Sequence, residues 1–240
     1  MLQGSGSKGS VFEDCTWEGG SEAHKDLIYY CGMVSMHGVD DLTVRNCSVG
    51  ENYLGDDAMH LAYCKNFTIA GCRFDQARSD ALDVDISRGK IVSSRFLNSG
   101  NDTLDLMTSV VQVKKSLFKN AGDKGISVGE KSDLVVDGSV FCRCNIGIEI
   151  KDNSVVGLEQ SIFRKCDTAI NLYKKNWRYG GGGILKAEDS IYAVGCTANL
   201  KKDKHSTTMV NTIKTQDPDL SVWRRTVSEA ASHAPAIEGG

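Results

Sequence analysis

Residues 56 to 173 repeat one arrangement of apolar and polar positions. Segments beginning at Ser79, Asn101, Asp123, Asn145 and Asp167 start 22 residues apart, and a related segment begins at Asp56. Each holds an apolar–polar–apolar triplet at the same offset: Met59/Leu61, Leu82/Val84, Leu104/Leu106, Ile126/Val128, Ile148/Ile150 and Ile170/Leu172. At 40% apolar content, chance would fill all these places on the order of once in 10⁵ trials. Strict alternation predicts a strand with the apolar pair turned inward and the polar residue outward. A second column, Phe74, Phe96, Phe118, Phe141 and Phe163, closes a β-rich run in each repeat, such as FTIAGCRF. Four or five residues after each Phe comes a small polar residue (Ser79, Asn101, Asp123, Asn145, Asp167), often preceded by glycine, as at Gly55, Gly100 and Gly122. That is turn chemistry at a fixed point. A 22-residue period with short strands and no helix-length segment predicts an all-β chain, each repeat forming one coil of a parallel β-solenoid. Equivalent side chains then stack in columns ~4.8 Å apart, and the Phe column becomes an internal aromatic stack.

The ends depart from the period. Segment 174–189, KKNWRYGGGGILKAED, lengthens one coil before SIYAVGC resumes the strand, with Tyr192 taking the Phe place. Beyond Pro218, Leu220, Trp223, Val227, Ala230 and Ala231 share a helical face after Asp219, a suitable N-cap. A short C-terminal helical cap over the open β-edge is expected. The predicted organisation is a β-helix over 1–217, with regular coils at about 42–173 and an extended loop at 174–189, then a capping helix or tail over 218–240. The pattern is already under way near the N-terminus, as in one part of a longer protein.

Composition removes several classes. With 28 basic and 31 acidic residues and a net charge of −3, there is no electrostatic footprint for nucleic acid. No apolar run approaches the ~20 residues of a membrane span. The nine cysteines are an odd number, Cys142 and Cys144 are the nearest pair, and no CxxC occurs. The spacing is unlike a zinc site, and buried thiols acting as small hydrophobes are expected. GSGSKG at 4–9 matches GxGxxG by letter but follows no strand and begins no helical pattern, so it is not a nucleotide site.

Candidate chemistry lies on the outward columns. One reads His60, Asp83, Asp105, Ser127, Glu149, Asn171; beside it run Ala62, Asp85, Met107, Gly129, Lys151, Tyr173. Asp83 and Asp105 stack about 5 Å apart, and Asp83 and Asp85 about 6.5–7 Å apart. Stacked carboxylates call for compensation. Ca²⁺ held by Asp83, Asp85 and Asp105 would supply it. So would a shared proton that divides acid and base roles, which makes Asp83 and Asp105 catalytic candidates. The plainer alternative is a solvated acidic face. His60 and the Asp56/Asp57 pair would add to such a site. His60, Glu149 and Asn171 are candidate substrate contacts. Trp177, Arg178 and Tyr179 in the long loop could form a platform for a sugar ring and its carboxylate, or else the packed root of a loop or a subunit contact.

Four family resemblances follow from these motifs. The three-strand, 22-residue coil is similar to the right-handed parallel β-helix family over roughly residues 10 to 195, and the Ser/Asn/Asp column resembles the polar ladder lining one of its turns. GDDAMHL at 55–61 resembles the GDD strand of polygalacturonases, which implies inverting hydrolysis by Asp56 and Asp57. The partner Asn-Thr-Asp motif is missing, with MVSMH at 33–37 in its place, and DKGISVG at 123–129 is the nearest form to Gly-His-Gly. IGIEIKD at 146–152 resembles the catalytic strand of β-helix alginate and chondroitin lyases. That implies Lys151 as base, Glu149 and Asp152 as acids beside it, Tyr173 as acid or base, and Ca²⁺ neutralising a uronate carboxylate. The chain is also similar to bacterial β-helix repeat proteins, a label that fixes fold and not chemistry.

The expected function is engagement of a polysaccharide, acidic in character, along one long face, with lyase or C5-epimerase action on uronate-containing glycans. The alternatives are a non-catalytic carbohydrate-binding, adhesion or structural module of a longer protein, and an inverting glycoside hydrolase. Fold analogy implies an extracellular or periplasmic setting. Met1 leads into a Gly/Ser stretch without the basic-then-apolar run of a signal peptide.

Overall fold

The structure is a computed structural model that describes residues 1–20, 32–188 and 191–218. The expected helical cap over 218–240 therefore lies, beyond Pro218, outside the described residues, as does Cys31. Each repeat forms three short strands, and the chain winds through three parallel nine-stranded sheets in turn. Every strand inside a sheet pairs with its equivalents one coil before and one coil after, and each end strand with one of them. In the first sheet Leu82 pairs Leu104, Leu104 pairs Ile126, Ile126 pairs Ile148 and Ile148 pairs Ile170, a constant step of 22 residues. The helical content described is one 3-10 turn at Ser5–Ser7. This is the parallel β-solenoid that the repeat predicts.

The core follows from the alternation. Leu82, Val84, Leu104, Leu106, Ile126, Val128, Ile148 and Ile150 are fully buried. The Phe column stacks face to face from Phe74 to Phe163, with ring centroids 4.7, 5.0, 4.9 and 4.8 Å apart and planes within 5–11°. Tyr192 does not extend it. Tyr192 pairs Ile162, and Ala193 takes the place beside Phe163. Ile191 and Ala193 point inward, so alternation turns Tyr192 outward, where it joins a small ridge of Leu97, Leu117, Val140 and Ile162. The irregular loop is also shorter than 174–189, because Ile184–Ala187 is a strand that pairs with Val155–Gly157.

The corners are made by single residues in the left-handed region. Tyr63, Ile86 and Thr108 have φ of 57, 48 and 52°, and each precedes a Cys or Ser (Cys64, Ser87, Ser109) whose side chain turns inward. Ser87 Oγ donates to the Asp85 carbonyl at 2.7 Å and accepts the Cys64 N–H at 2.9 Å. The ladder continues through Ser109, Ser132 and Ser154 at 3.0–3.1 Å. A second one runs through Ser94, Ser116 and Ser139 at 3.1–3.2 Å. These hydroxyls satisfy buried corner N–H groups that no strand can reach. The expected column Ser79, Asn101, Asp123, Asn145, Asp167 is not this ladder. Its members link through backbone, as Asn101 N–H to Ser79 O at 3.1 Å, and Asn145 and Asp167 are exposed. The eight described cysteines are free thiols, five of them buried. Cys64 and Cys72 occupy ladder positions, in keeping with small buried side chains.

Candidate functional site

The first sheet's outer face carries two columns in register. Ser35, His60, Asp83, Asp105, Ser127, Glu149 and Asn171 run down the middle. Beside them stand His37, Ala62, Asp85, Met107 and Gly129, then Lys151 and Tyr173. A third column, three residues ahead of the middle one, was not recognised in the sequence: Asp57, Asp80, Asp102 and Lys124. Its signal is the recurring Asp in DDAMH, SDALD and NDTLD, followed by DKGIS.

An outward column suggests exposure, but much of this face is buried. His60 is 1% exposed, Glu149 4%, Lys151 6% and Asp85 7%. Asp83, Asp105, Asn171 and Tyr173 are half-buried. Rungs ~4.8 Å apart make long polar side chains shoulder one another.

The acidic part belongs to the coils of Asp57, Asp80 and Asp102. Burial, and then neighbouring carboxylates, push Asp57 up to about 8 and Asp83 up to about 9. Asp80 rises to about 6 under burial, and Asp102 to about 7, although Lys124 partly offsets the latter. Asp80 Oδ1 accepts the Asn101 amide and the Asp102 N–H, both at 2.8 Å. Asp56 is exposed, so of the GDD pair it is Asp57 that faces the group. His60 Nε2 lies 3.2 Å from Asp85 Oδ2 and 3.8 Å from Asp83 Oδ2. His60 Nδ1 lies 3.4 Å from His37 Nε2. Among the described residues, His60, Asp83 and Asp85 are the group whose donor atoms all lie within 4.8 Å of one another, a spacing that could hold a metal ion. Asp83, Asp85 and Asp105, the carboxylates expected for calcium, are not such a group: Asp105, one rung on the other side of Asp83 from His60, is not among the converging donors.

The cationic part begins one rung further on. Lys124 Nζ bonds Asp123, and lies 3.4 Å from Asp102 and 3.9 Å from Glu149. Burial alone would lower the Lys124 pKa, but these carboxylates outweigh it and the pKa is raised. Lys151 Nζ donates to Ser127 Oγ at 2.8 Å and lies 3.9 Å from Glu149. Its chain leans back toward the preceding coil across Gly129, where an added Cβ would stand 3.4 Å from Lys151 Cε. Asn171 donates to Glu149 at 3.0 Å, and the Tyr173 hydroxyl lies 3.3 Å from it. Burial and then Glu149 push the Tyr173 phenol up to about 12, which suits a proton donor better than a base near neutral pH.

Asp152 is not an acid of the face. It is fully buried, and its Oδ1 accepts the Lys175 and Asn176 N–H groups at 2.8 Å, anchoring the long loop. Asn153 ties down Gly181 at 2.6 Å. The loop presents Trp177, 83% exposed, with the Arg178 guanidinium 5.8 Å from its ring. Tyr179 faces Lys131, 6.0 Å away. Glu130, Lys175, Asn176, Trp177 and Arg178 line a cleft of about 500 Å³ at the corner beside the face. The expected site residues thus fall into three neighbourhoods: His60 with Asp83, Asp85 and Asp105; Lys151 with Glu149, Asn171 and Tyr173; and the loop residues Trp177, Arg178 and Tyr179.

A family model described as a right handed beta helix region matches residues 32–198. No curated protein matches the chain in sequence. Among solved structures, a mutant of a periplasmic alginate epimerase is similar at 14% identity with a TM-score of 0.58, covering 76% of this chain and 47% of that one. The chain therefore spans about half the length of that epimerase. An alginate lyase from Paenibacillus sp. is similar at 11% identity and a TM-score of 0.44, covering 76% of this chain and 90% of that one. The catalytic domain of an alpha-1,3-glucanase in complex with tetrasaccharides gives 10% and 0.39, with 85% and 54% covered. At these identities the likeness is one of fold.

Proposed function

The chain belongs to the right-handed β-helix region family, and on that premise we propose that the outer face of its first sheet is a groove that holds a uronate-containing polysaccharide and moves a proton on it. One observation carries this reading: the buried Lys151 amine lies on the same open face as a protonated phenol and a run of carboxyls with raised pKa. A uronate has a weakly acidic C–H beside its carboxylate. A cation beside that carboxylate stabilises the charge that develops when the proton leaves. The Lys124 ammonium, which shares Glu149 with Lys151, is that cation, and Lys151 in its neutral amine form is the base that takes the proton. Tyr173, protonated near neutral pH, returns one. Delivered to the leaving glycosidic oxygen as the C–O bond breaks, that proton completes β-elimination and leaves an unsaturated uronate. Delivered to the opposite face of the same carbon, it completes epimerisation. Glu149 and Asn171 hold this end of the sugar chain, and His60, Asp83 and Asp105 meet sugars further along. Trp177, Arg178 and Tyr179 offer a stacking surface beside the groove.

Hydrolysis is a second reading, favoured by the Asp83 carboxyl. Held protonated near neutral pH, it can donate to a glycosidic oxygen as a general acid.

The test is incubation with alginate, pectate, chondroitin and neutral glycans. Ultraviolet absorbance of unsaturated uronate, new reducing ends and NMR of C5 configuration are read in parallel. Absorbance with new ends, or C5 inversion, is expected, and Lys151→Ala should remove it with the melting curve retained. New ends without absorbance would move the chemistry to the carboxylates. Retention on an immobilised glycan with no turnover would make the chain a binding module. Neither retention nor turnover on any glycan would overturn the reading.

A further inference from the structure

We infer that His60, Asp83 and Asp85 form a binding site for a divalent transition-metal cation of the zinc class, with His60 Nε2 as its nitrogen ligand. The three side chains come from two adjacent rungs of one sheet. His60 pairs directly with Asp83, and Asp85 follows two residues later on the same face. Backbone pairing fixes their spacing before any ion arrives. The nitrogen lies 3.2 and 3.8 Å from the two carboxylate oxygens, and all three donors fall within 4.8 Å. A tetrahedral zinc site with bonds of about 2.0–2.1 Å sets its donors about 3.3–3.4 Å apart, so the two edges from His60 Nε2 need only small adjustment.

Donor chemistry selects the cation. Calcium takes oxygen ligands, whereas one imidazole with two carboxylates suits zinc and its neighbours. The third carboxylate that would favour calcium, Asp105, lies outside the group. The imidazole is 1% exposed, and its other nitrogen lies 3.4 Å from His37 Nε2. An outer partner at that nitrogen orients a metal-binding histidine and fixes its tautomer. The ion pairs formed by Asp83 and Asp85 among the described residues are to His60 alone, while Asp102 has Lys124 and Asp75 has Arg73. Three protein ligands leave the fourth position open, as in zinc sites where water or substrate completes the shell. The Asp83 side chain, 23% exposed, lies on the open side of the group.

The inference concerns the protein without any glycan, so failure of the polysaccharide reading leaves it standing. Chelator-treated protein is titrated with Co²⁺ and its visible absorption recorded, then Zn²⁺, Ca²⁺ and Mg²⁺ are added as competitors. A saturable 1:1 cobalt spectrum is expected, displaced by zinc and unaffected by calcium or magnesium. His60→Gln should abolish it, Asp85→Asn should weaken it at least tenfold, and His37→Ala should weaken it about ten- to a hundredfold. If His60→Gln fails to fold, ¹⁵N NMR of the wild-type histidine rings serves instead, with zinc expected to move the His60 Nε2 resonance. No stoichiometric cobalt or zinc binding by wild type would overturn the site. So would binding unchanged in folded His60→Gln, an unmoved His60 resonance, or calcium bound in preference to zinc.

Discussion

Asp57 is a carboxyl that the fold keeps protonated where water would ionise it. Its folded pKa of about 8 stands above the ~3.9 of an unfolded aspartate. Between those values the native state holds a proton that the unfolded state has lost. Stability from this group is therefore full below about pH 4 and declines as pH rises toward 8. Asp102 and Asp80, raised to about 7 and 6, act in the same direction over narrower windows. Asp57→Asn removes the titration and leaves the salt bridges described above intact, whereas the same change at Asp102 would take one of three carboxylates from Lys124. The variant should unfold at the wild-type denaturant midpoint near pH 4 and be more stable by about 1–3 kcal/mol near pH 9. Wild type proving the more stable form at pH 9 would refute the buried-proton picture. The sequence made Asp57 visible through its GDD string. Asp80 and Asp102 are less legible, because they stand just ahead of the triplets, at turn positions where an aspartate reads as ordinary loop chemistry.

Strain is concentrated in the left-handed residues where the chain turns. Ile86 is β-branched with a φ of 48°, a conformation that costs an L-residue about 1–2 kcal/mol. Its side chain is 43% exposed, so little packing offsets the strain. Ile86→Asn, which tolerates the left-handed region, should raise stability by about 0.5–1 kcal/mol in urea unfolding. A loss instead would mean that Ile86 packs productively between its neighbours one coil away, Tyr63 and Thr108. One residue past the next corner, Thr108, the sign reverses. Ser109→Ala removes the oxygen that accepts the Ser87 N–H at 3.0 Å and should cost about 1–3 kcal/mol, the penalty of a buried orphan donor; a cost near zero in the same assay would mean that water enters the corner. The strands were legible because Leu82/Val84 and their equivalents impose a period of two, which only a strand satisfies. The serine ladder was not, because a serine after a turn reads locally as solvent-facing. Its partner is one coil away, outside any local window. Tyr192 was misplaced for a related reason: a coil of irregular length resets which residue alternation sends inward.

At the scale of the whole molecule, one stacking rule builds both the core and the groove. Five steps separate the rung of His60 from that of Asn171, so the face extends about 24 Å along the stack axis. Its charge changes along that length, from the carboxyls around Asp57 and Asp83 to Lys124 and Lys151. The residue types of this face were readable in the sequence. Its burial was not, because Glu149 and Lys151 are covered by side chains on neighbouring coils, and Asp152, a residue that reads as part of the chemistry, anchors the long loop instead. A face with one rung every ~4.8 Å recognises an extended polymer by repetition rather than through a single deep pocket. Affinity for uronate oligosaccharides should therefore climb with each added sugar and level off once the chain spans about 24 Å. Calorimetry across a size series would read this directly, and Lys151→Ala should lower every point of the curve while leaving its plateau at the same length. A disaccharide that binds as tightly as the polymer would confine recognition to one neighbourhood, and the face would then be a scaffold for a local site.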